Sequence, residues 1–251
     1  MPNRIRLRGQ RERRNCPHGL GELSHELAIE IGKRIIHRLA IGHSNITGDD
    51  FASIFASAIS GDHRASPLGL ADVVWDGCAW TVKTVQAKYP FRQKSVRLIS
   101  GRNNPLYSAG VHDVFEDIQR TGRAVLDVWN ARVDESLHHH DDLRIFVFIR
   151  SMGTLEFAMF ESEAARFIPA EYEWRLNKNR NFEGFDRESD RHCFTWQPHG
   201  AQFTVIHTVP ASAYKFRIKQ NPGIIEEHHV LRLIRYNDNW IEAVETEEAD
   251  D

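Results

Sequence analysis

Leu23, Leu27, Ile31, Ile35 and Leu39 recur every fourth residue, so they line one stripe of a helix, and Gly42 supplies a stop. A second helix is predicted from about Asp49 to Ser60, with Phe51, Ile54, Phe55, Ala58 and Ile59 as its apolar face, Thr47 as its cap and Gly61 at its end. Two β-rich runs then flank Asp76-Gly77, the strongest short-range hairpin signal a sequence offers. Residues 89 to 108 read as loop-rich with a short strand at Val96 to Ile99, after which Val111, Val114, Phe115, Ile118, Val125 and Trp129 mark a third helix. Strands follow at about Leu143 to Arg150 and Thr154 to Phe160. From about Glu171 onward the pattern breaks into short β segments and loops, including Phe194 to Trp196, Gln202 to Ile206 around a Pro198-His199-Gly200 turn, and His229 to Tyr236. This order predicts an α/β fold with a mixed central β-sheet flanked by helices and a β-rich C-terminal half.

Composition narrows the class without naming a function. The chain has 251 residues, 41% hydrophobic and 27% charged, which excludes disorder and collagen and favours one large domain over two independent ones. Its longest apolar run, Ile145 to Ile149, falls far short of the roughly 20 residues a membrane span requires. Cys16, Cys78 and Cys193 lie far apart with no CxxC spacing, which predicts free thiols in a reducing cytoplasm. No secretory leader follows the N-terminal arginines, because the apolar stretch is missing.

Charge is distributed unevenly. Residues 1 to 14 hold six arginines against Glu12, residues 242 to 251 hold six carboxylates, and the body between them is near −2 out of a net −3. The basic end, residues 1 to 15, admits two readings, an arm that tracks phosphates by releasing counterions or a merely solvated terminus. The remaining partition is a single domain over 16–240, with a core at about 47–160, a β-rich elaboration at about 161–240, and an acidic tail over 241–251.

Chemistry concentrates at the hairpin. If Asp76 and Gly77 are the two turn residues, Trp75 lies opposite Cys78, Val74 opposite Ala79, Val73 opposite Trp80 and Asp72 opposite Thr81. Paired residues share a face and side chains alternate, so Asp72, Thr81 and Lys83 converge on one face. A carboxylate and an ammonium together beside apolar runs cost stability unless they meet solvent, each other or a ligand.

The stretch Pro67-Leu-Gly-Leu-Ala-Asp72, the hairpin and Trp80-Thr-Val-Lys83 resemble the PD-(D/E)xK nuclease superfamily, and within it type II restriction endonucleases. The resemblance covers roughly residues 47 to 150. It implies a restriction-endonuclease-like core in which an aspartate and an acidic-x-lysine pair on the next strand bind Mg²⁺ and activate water for phosphodiester hydrolysis. The family's aspartate falls on Asp72 and its lysine on Lys83; the second acidic position is Thr81, a poor Mg²⁺ ligand. Some members resemble this variant and take the carboxylate from a helix, for which Asp50, Asp49, Glu116 and Asp113 are candidates and Asp50 is preferred. Thr47-x-x-Asp50 also reads as a capping box. In a second register, Asp76 with Gln86-x-Lys88, Asp76 falls in the turn and Gln86 and Lys88 fall on the face opposite Lys83.

Lys88 to Asn104 carries Lys88, Arg92, Lys94, Arg97, Arg102, Asn103 and Asn104 and no acidic residue. Arginine pairs with guanine and asparagine with adenine in the major groove, so Ser100 to Asn104 is a candidate base-reading loop. The turn holding Gln197 and His199 offers further donors, as do Arg175, Lys178 and Arg180. His138 to His140 read as a loop, and neither they nor His192-Cys193 and His228-His229 complete a zinc ligand set. The resemblance thus implies a Mg²⁺-dependent, site-specific double-stranded DNA endonuclease, a homodimer to match a palindromic site, and a companion DNA methyltransferase. The alternatives are a repair or RNA-processing nuclease of the same fold, a DNA-binding module without cleavage, and a protein-interaction domain.

Overall fold

The computed structural model describes residues 16–64 and 69–243. The arginine-rich start, most of the acidic end, and Pro67 and Leu68 of the quoted stretch lie outside the described residues.

Helix α1 (His25–Ala40) buries Ala28, Ile31, Ile35 and Leu39, and Ser24 caps it by accepting from Leu27 N. In α2 (Gly48–Ile59) Thr47 and Asp50 form a reciprocal capping box, and Phe51, Ile54 and Phe55 are buried. The strands β1 (Asp62–His63), β2 (Val73–Trp75) and β3 (Cys78–Gln86) follow. Asp76 and Gly77 both take positive φ, 41° and 96°, as a two-residue turn requires, and the pairing is the expected Val73 with Trp80, Val74 with Ala79 and Trp75 with Cys78.

Strand β3 pairs in parallel with β5 (Asp142–Ser151) over nine residues. Parallel strands need a crossover. Here it contains β4 (Ser95–Arg102), α3 (Pro105–Ala109) and α4 (Ile118–His139). Strand β6 (Glu156–Glu163) then returns antiparallel to β5, and β11 (Tyr214–Arg217) pairs antiparallel to β6. The first sheet is therefore mixed, in the order β1-β2-β3-β5-β6-β11. The second is antiparallel, β4-β10-β9-β8-β7, formed with β7 (Tyr172–Leu176), β8 (Phe182–Asp186), β9 (His192–Gln197) and β10 (Gln202–Thr208).

Alternation along the strands gives the first sheet two buried faces. Val73, Cys78, Trp80, Val82, Phe146, Phe148, Phe157 and Met159 pack with the apolar stripes of α1 and α2. Val74, Ala79, Ile145, Val147, Ile149 and Phe160 pack with Val125, Leu126, Trp129 and Val133 of α4, and that core continues into Val96, Leu98, Phe182, Phe194, Trp196 and Phe203 of the second sheet. The two sheets share this core, with α4 against both.

Three expectations need correction. The third helix starts at Ile118, because Asp117 accepts from Arg120 N and caps it there; Val114 and Phe115 pack against the core from the preceding turns, where Val111 is also buried, and the helix runs through His138 and His139. His229 to Tyr236 is not strand, since α5 (Glu227–Leu233) takes up most of it. The thiols are not all free: Cys16 and Cys78 form a disulfide, and Cys193 alone is a buried free thiol. Among the described residues no helix is long and apolar enough to cross a membrane.

The segment carrying Cys16 is also fixed by Glu161 on β6. Its buried carboxylate accepts from Trp80 Nε1 at 2.6 Å, Gly21 N at 3.1 Å and Arg144 Nη1 at 3.2 Å, and lies 2.9 Å from His18 Nε2. Burial raises the Glu161 pKa, but the His18 contact and these donors outweigh it and hold the carboxyl below its ordinary value.

Alkylation in denaturant without reductant should label one cysteine, Cys193, and all three after reduction; reduction should lower stability by up to about 4 kcal/mol if closing the loop acts through chain entropy. The depressed Glu161 pKa gives stability that is present above the unfolded value of about 4.5 and is lost as pH falls through the folded one. Urea midpoints of Glu161→Gln should therefore be lower than wild type near neutrality and converge with it in acid.

Candidate active site

Asp72 sits immediately before β2, where its N–H donates to Trp80 O and its carbonyl accepts from Arg64 N, both at 2.8 Å. Those two bonds fix its backbone between β1 and β3. Its side chain reaches across to β3, where Oδ2 accepts from Val82 N at 2.8 Å and from Thr81 Oγ1 at 3.1 Å. Lys83 Nζ lies 3.9 Å from the same oxygen. Asp72, Thr81 and Lys83 thus meet as alternation requires, and the ordered ladder ends one residue short of the Asp72–Thr81 pair.

Both hydrogen bonds fall on Oδ2, and Oδ1 accepts none among the described residues. Oδ2 is thereby oriented while Oδ1 keeps its lone pairs for a ligand. Burial lowers the pKa of Lys83, the neighbouring Asp72 charge opposes that shift, and Arg132 adds to it. Arg132 is the residue that sequence reasoning missed. It lies on α4 one turn beyond Trp129, donates to Ser100 O, and sits 3.4 Å from Gly69 O. Gly101 carries a trace of it: φ is +108° there, and a Cβ would come within 2.6 Å of the Arg132 guanidinium. Desolvation lowers the Arg132 pKa, and the Asp72 charge opposes the shift.

On the α2 side, Asp72 opens into a pocket of about 170 Å³ lined by Gly48, Asp49, Ala52, His63, Arg64 and Val82. Asp49 is well exposed and lies 3.3 Å from His63 Nε2. Asp50, the preferred helix carboxylate, is not in this pocket; its Oδ2 accepts from Thr47 N at 2.9 Å and Thr47 Oγ1 at 2.7 Å. Burial raises its pKa and the Thr47 donors bring it below the ordinary value. The capping-box reading of Asp50 is the one realised, and the neighbouring Asp49 takes the place facing Asp72.

Asp72 and Asp49 bring carboxylates to the lining of this pocket, the hard oxygen ligands that Mg²⁺ takes one or two at a time while keeping several of its waters. No cysteine or imidazole donor other than His63 lines it. The second register has no counterpart here: Asp76 lies in the turn, Gln86 is the exposed last residue of β3, and Lys88 is exposed beyond it.

The predicted base-reading residues divide. Ser100 to Arg102 is the end of β4 and not a loop. Asn103 is fully buried, with Nδ2 donating to Val125 O at 2.9 Å, so it holds α4 against the second sheet and is withdrawn as a reader. Asn104 caps α3 by accepting from Leu106 N and Tyr107 N, which occupies its amide oxygen. Arg102 and Gln197 both pair with Gln202, so the three form a row on the outer face of the second sheet. Arg97 lies on that face and donates to Thr195 Oγ1 at 2.7 Å. His199 is exposed in the adjoining turn, and Lys88 is exposed beside Tyr89, 5.3 Å from its ring centre.

No family model matches the chain, and no curated protein or solved structure proved similar to it.

Capping and ligand roles separate by substitution. Thr47→Ala should lower stability by about 1 kcal/mol in urea unfolding, the usual cost of losing a cap. Asp50→Asn should behave likewise, whereas Asp49→Asn should leave the unfolding midpoint within about 0.5 kcal/mol, as for exposed surface changes.

Proposed function

We propose that the chain is a Mg²⁺-dependent type II restriction endonuclease that hydrolyses double-stranded DNA at a short specific site. The observation that carries this reading is the approach of Lys83 Nζ to within 3.9 Å of Asp72 Oδ2, where Asp72 also lines a pocket that Asp49 lines from α2. A carboxylate and a desolvated lysine so arranged serve hydrolysis of a phosphodiester. The mixed sheet, with α2 packed on one face and α4 on the other, supports the reading.

Asp72 and Asp49 would hold the ion, which when bound supplies a Lewis acid and lowers the pKa of coordinated water. Lys83 faces the attacked phosphate and either orients the water or donates to the developing charge. Its lowered pKa makes loss of a proton cheaper than for a solvated lysine, which suits passing protons to and from water. Thr81 holds Asp72 by its hydroxyl hydrogen bond and adds no negative charge. Arg132 keeps positive charge close to the pair. Arg97, Arg102, Gln197 and His199 offer donors to DNA from the second sheet, and a homodimer would supply one such site to each strand. A methyltransferase of the same specificity would protect the host's own DNA.

The test is incubation of the full chain with unmethylated DNA in Mg²⁺ and in EDTA. Discrete fragments are expected only with Mg²⁺, and the cleavage rate should fall about 10²-fold or more in Lys83→Ala and in Asp72→Asn. Asp49→Asn should lose cleavage and Asp50→Asn keep it. Salt-sensitive, sequence-specific binding with intact DNA under every condition would replace this reading with a binding module; cleavage confined to RNA or to single strands would replace it with a processing nuclease.

A further inference from the structure

The second sheet carries a pocket, of about 210 Å³, that the proposed cleavage site does not use. Its wall is aromatic. Phe167 and Phe194 have ring centres 4.6 Å apart, Tyr172 and Phe194 4.7 Å apart, and Phe167 and Tyr172 6.1 Å apart, all steeply inclined to one another. Cys193 and His207 line it from β9 and β10, and Arg191 is the one guanidinium or ammonium among its lining residues.

His207 makes the pocket more than a packing gap. It pairs with Val96, and the inward phase of Phe203 and Val205 carries its side chain to the inner face of the sheet. Its Nε2 is buried and has no hydrogen-bond partner among the described residues. A buried polar atom left unpaired costs about 1–3 kcal/mol, so such an atom beside a cavity marks a place for a donor or acceptor from outside. Desolvation, with Arg191 adding to it, lowers the His207 pKa to about 4, so the ring is neutral near pH 7. Burial raises the Tyr172 hydroxyl and the Cys193 thiol, which are likewise uncharged. The interior is thus neutral, ring-lined and able to hydrogen-bond, and a single exposed cation stands beside it.

We propose that this pocket holds the base of one nucleotide, stacked among Phe167, Tyr172 and Phe194 and hydrogen-bonded to His207 Nε2, with Arg191 on its phosphate. A hydrocarbon ligand would leave His207 unpaired. A free inorganic anion would meet one cation and otherwise uncharged walls. The volume is below the roughly 300–1,000 Å³ of clefts for drug-sized molecules and is on the scale of a single ring system. Two sources supply that chemistry, a free nucleotide or a base extruded from a DNA strand, as in enzymes that take a target base out of the stack. Only the second source rests on the DNA reading given above.

The test uses the full chain carrying Lys83→Ala, which keeps any DNA intact, and measures calorimetric binding of dAMP, dCMP, dGMP and dTMP. At least one should bind. Arg191→Ala, at an exposed position, should weaken it about tenfold, the loss expected for one charge-assisted contact, and should leave the matching nucleoside unaffected. His207→Phe, which fills the space, should abolish binding of both. A rise in 2-aminopurine fluorescence on adding a labelled duplex, lost in Arg191→Ala, would assign the source as an extruded base; nucleotide binding without that rise would assign it as a free nucleotide. Binding of none of the four, or equal affinity in Arg191→Ala, overturns the proposal. Neither result depends on cleavage, so failure here is distinct from failure of the nuclease reading.

Discussion

Strand β3 is held on both faces, and most of the molecule follows from that constraint. Cys78, Trp80 and Val82 face the apolar layer of α1 and α2, and Ala79, Thr81 and Lys83 face α4. A slip of one residue would drive Lys83 among Phe51, Phe146 and Phe148 and turn Trp80 out of its hydrogen bond to Glu161, so only one register is tolerable. The parallel pairing with β5 then demands a crossover, and the crossover delivers α4, with Arg132, over the face that carries Lys83. The same connection starts the second sheet with β4. The site and the second sheet are consequences of one pairing.

Within that frame Asp72 is a junction more than a free ligand. Its Oδ2 is committed to Val82 N and Thr81 Oγ1, and two cations, Lys83 and Arg132, are close enough to feel its charge. One anion against two partly desolvated cations leaves local positive charge that an anion from solution would relieve. A carboxylate at position 81 would have cancelled it, and threonine there leaves it in place.

The hairpin was legible because a two-residue turn and period-two alternation leave one solution, and it placed Asp72, Thr81 and Lys83 together. Helices α1 and α2 were legible from spacing and caps. Other features were hidden for physical reasons. Asp49 and Asp50 are adjacent, and only the capping box, which takes Asp50 inward to Thr47, decides which one meets the pocket. Asn103 looks like a base reader in sequence, yet its burial depends on how β4 meets α4, a contact between distant segments. Arg132 sits in the polar phase of a helix pattern, and nothing local separates it from a solvated arginine. The Cys16–Cys78 bond closes a separation of 62 residues that spacing rules do not address. The apolar turn at Val111, Val114 and Phe115 is in phase with α4, so periodicity extends the helix past its cap.

A chain with net charge −3 binds an anion only through cations that are not already neutralised. Many of its arginines are spent: Arg34 on Glu30, Arg144 on Asp142 and Glu161, Arg166 on Asp134, Arg175 on Glu173 and Asp190, and Arg217 on Glu156. Arg175, a candidate reader by composition, is excluded by this argument. Arg97 donates to a hydroxyl, Arg132 to a carbonyl, and Arg102 has no ion pair among the described residues. Neutral partners leave the full positive charge available, and exchanging one for a phosphate costs no ion pair. Ion pairing therefore separates what composition could not: Arg97 and Arg102 on β4 are among the arginines whose charge is not spent on a carboxylate of the described residues.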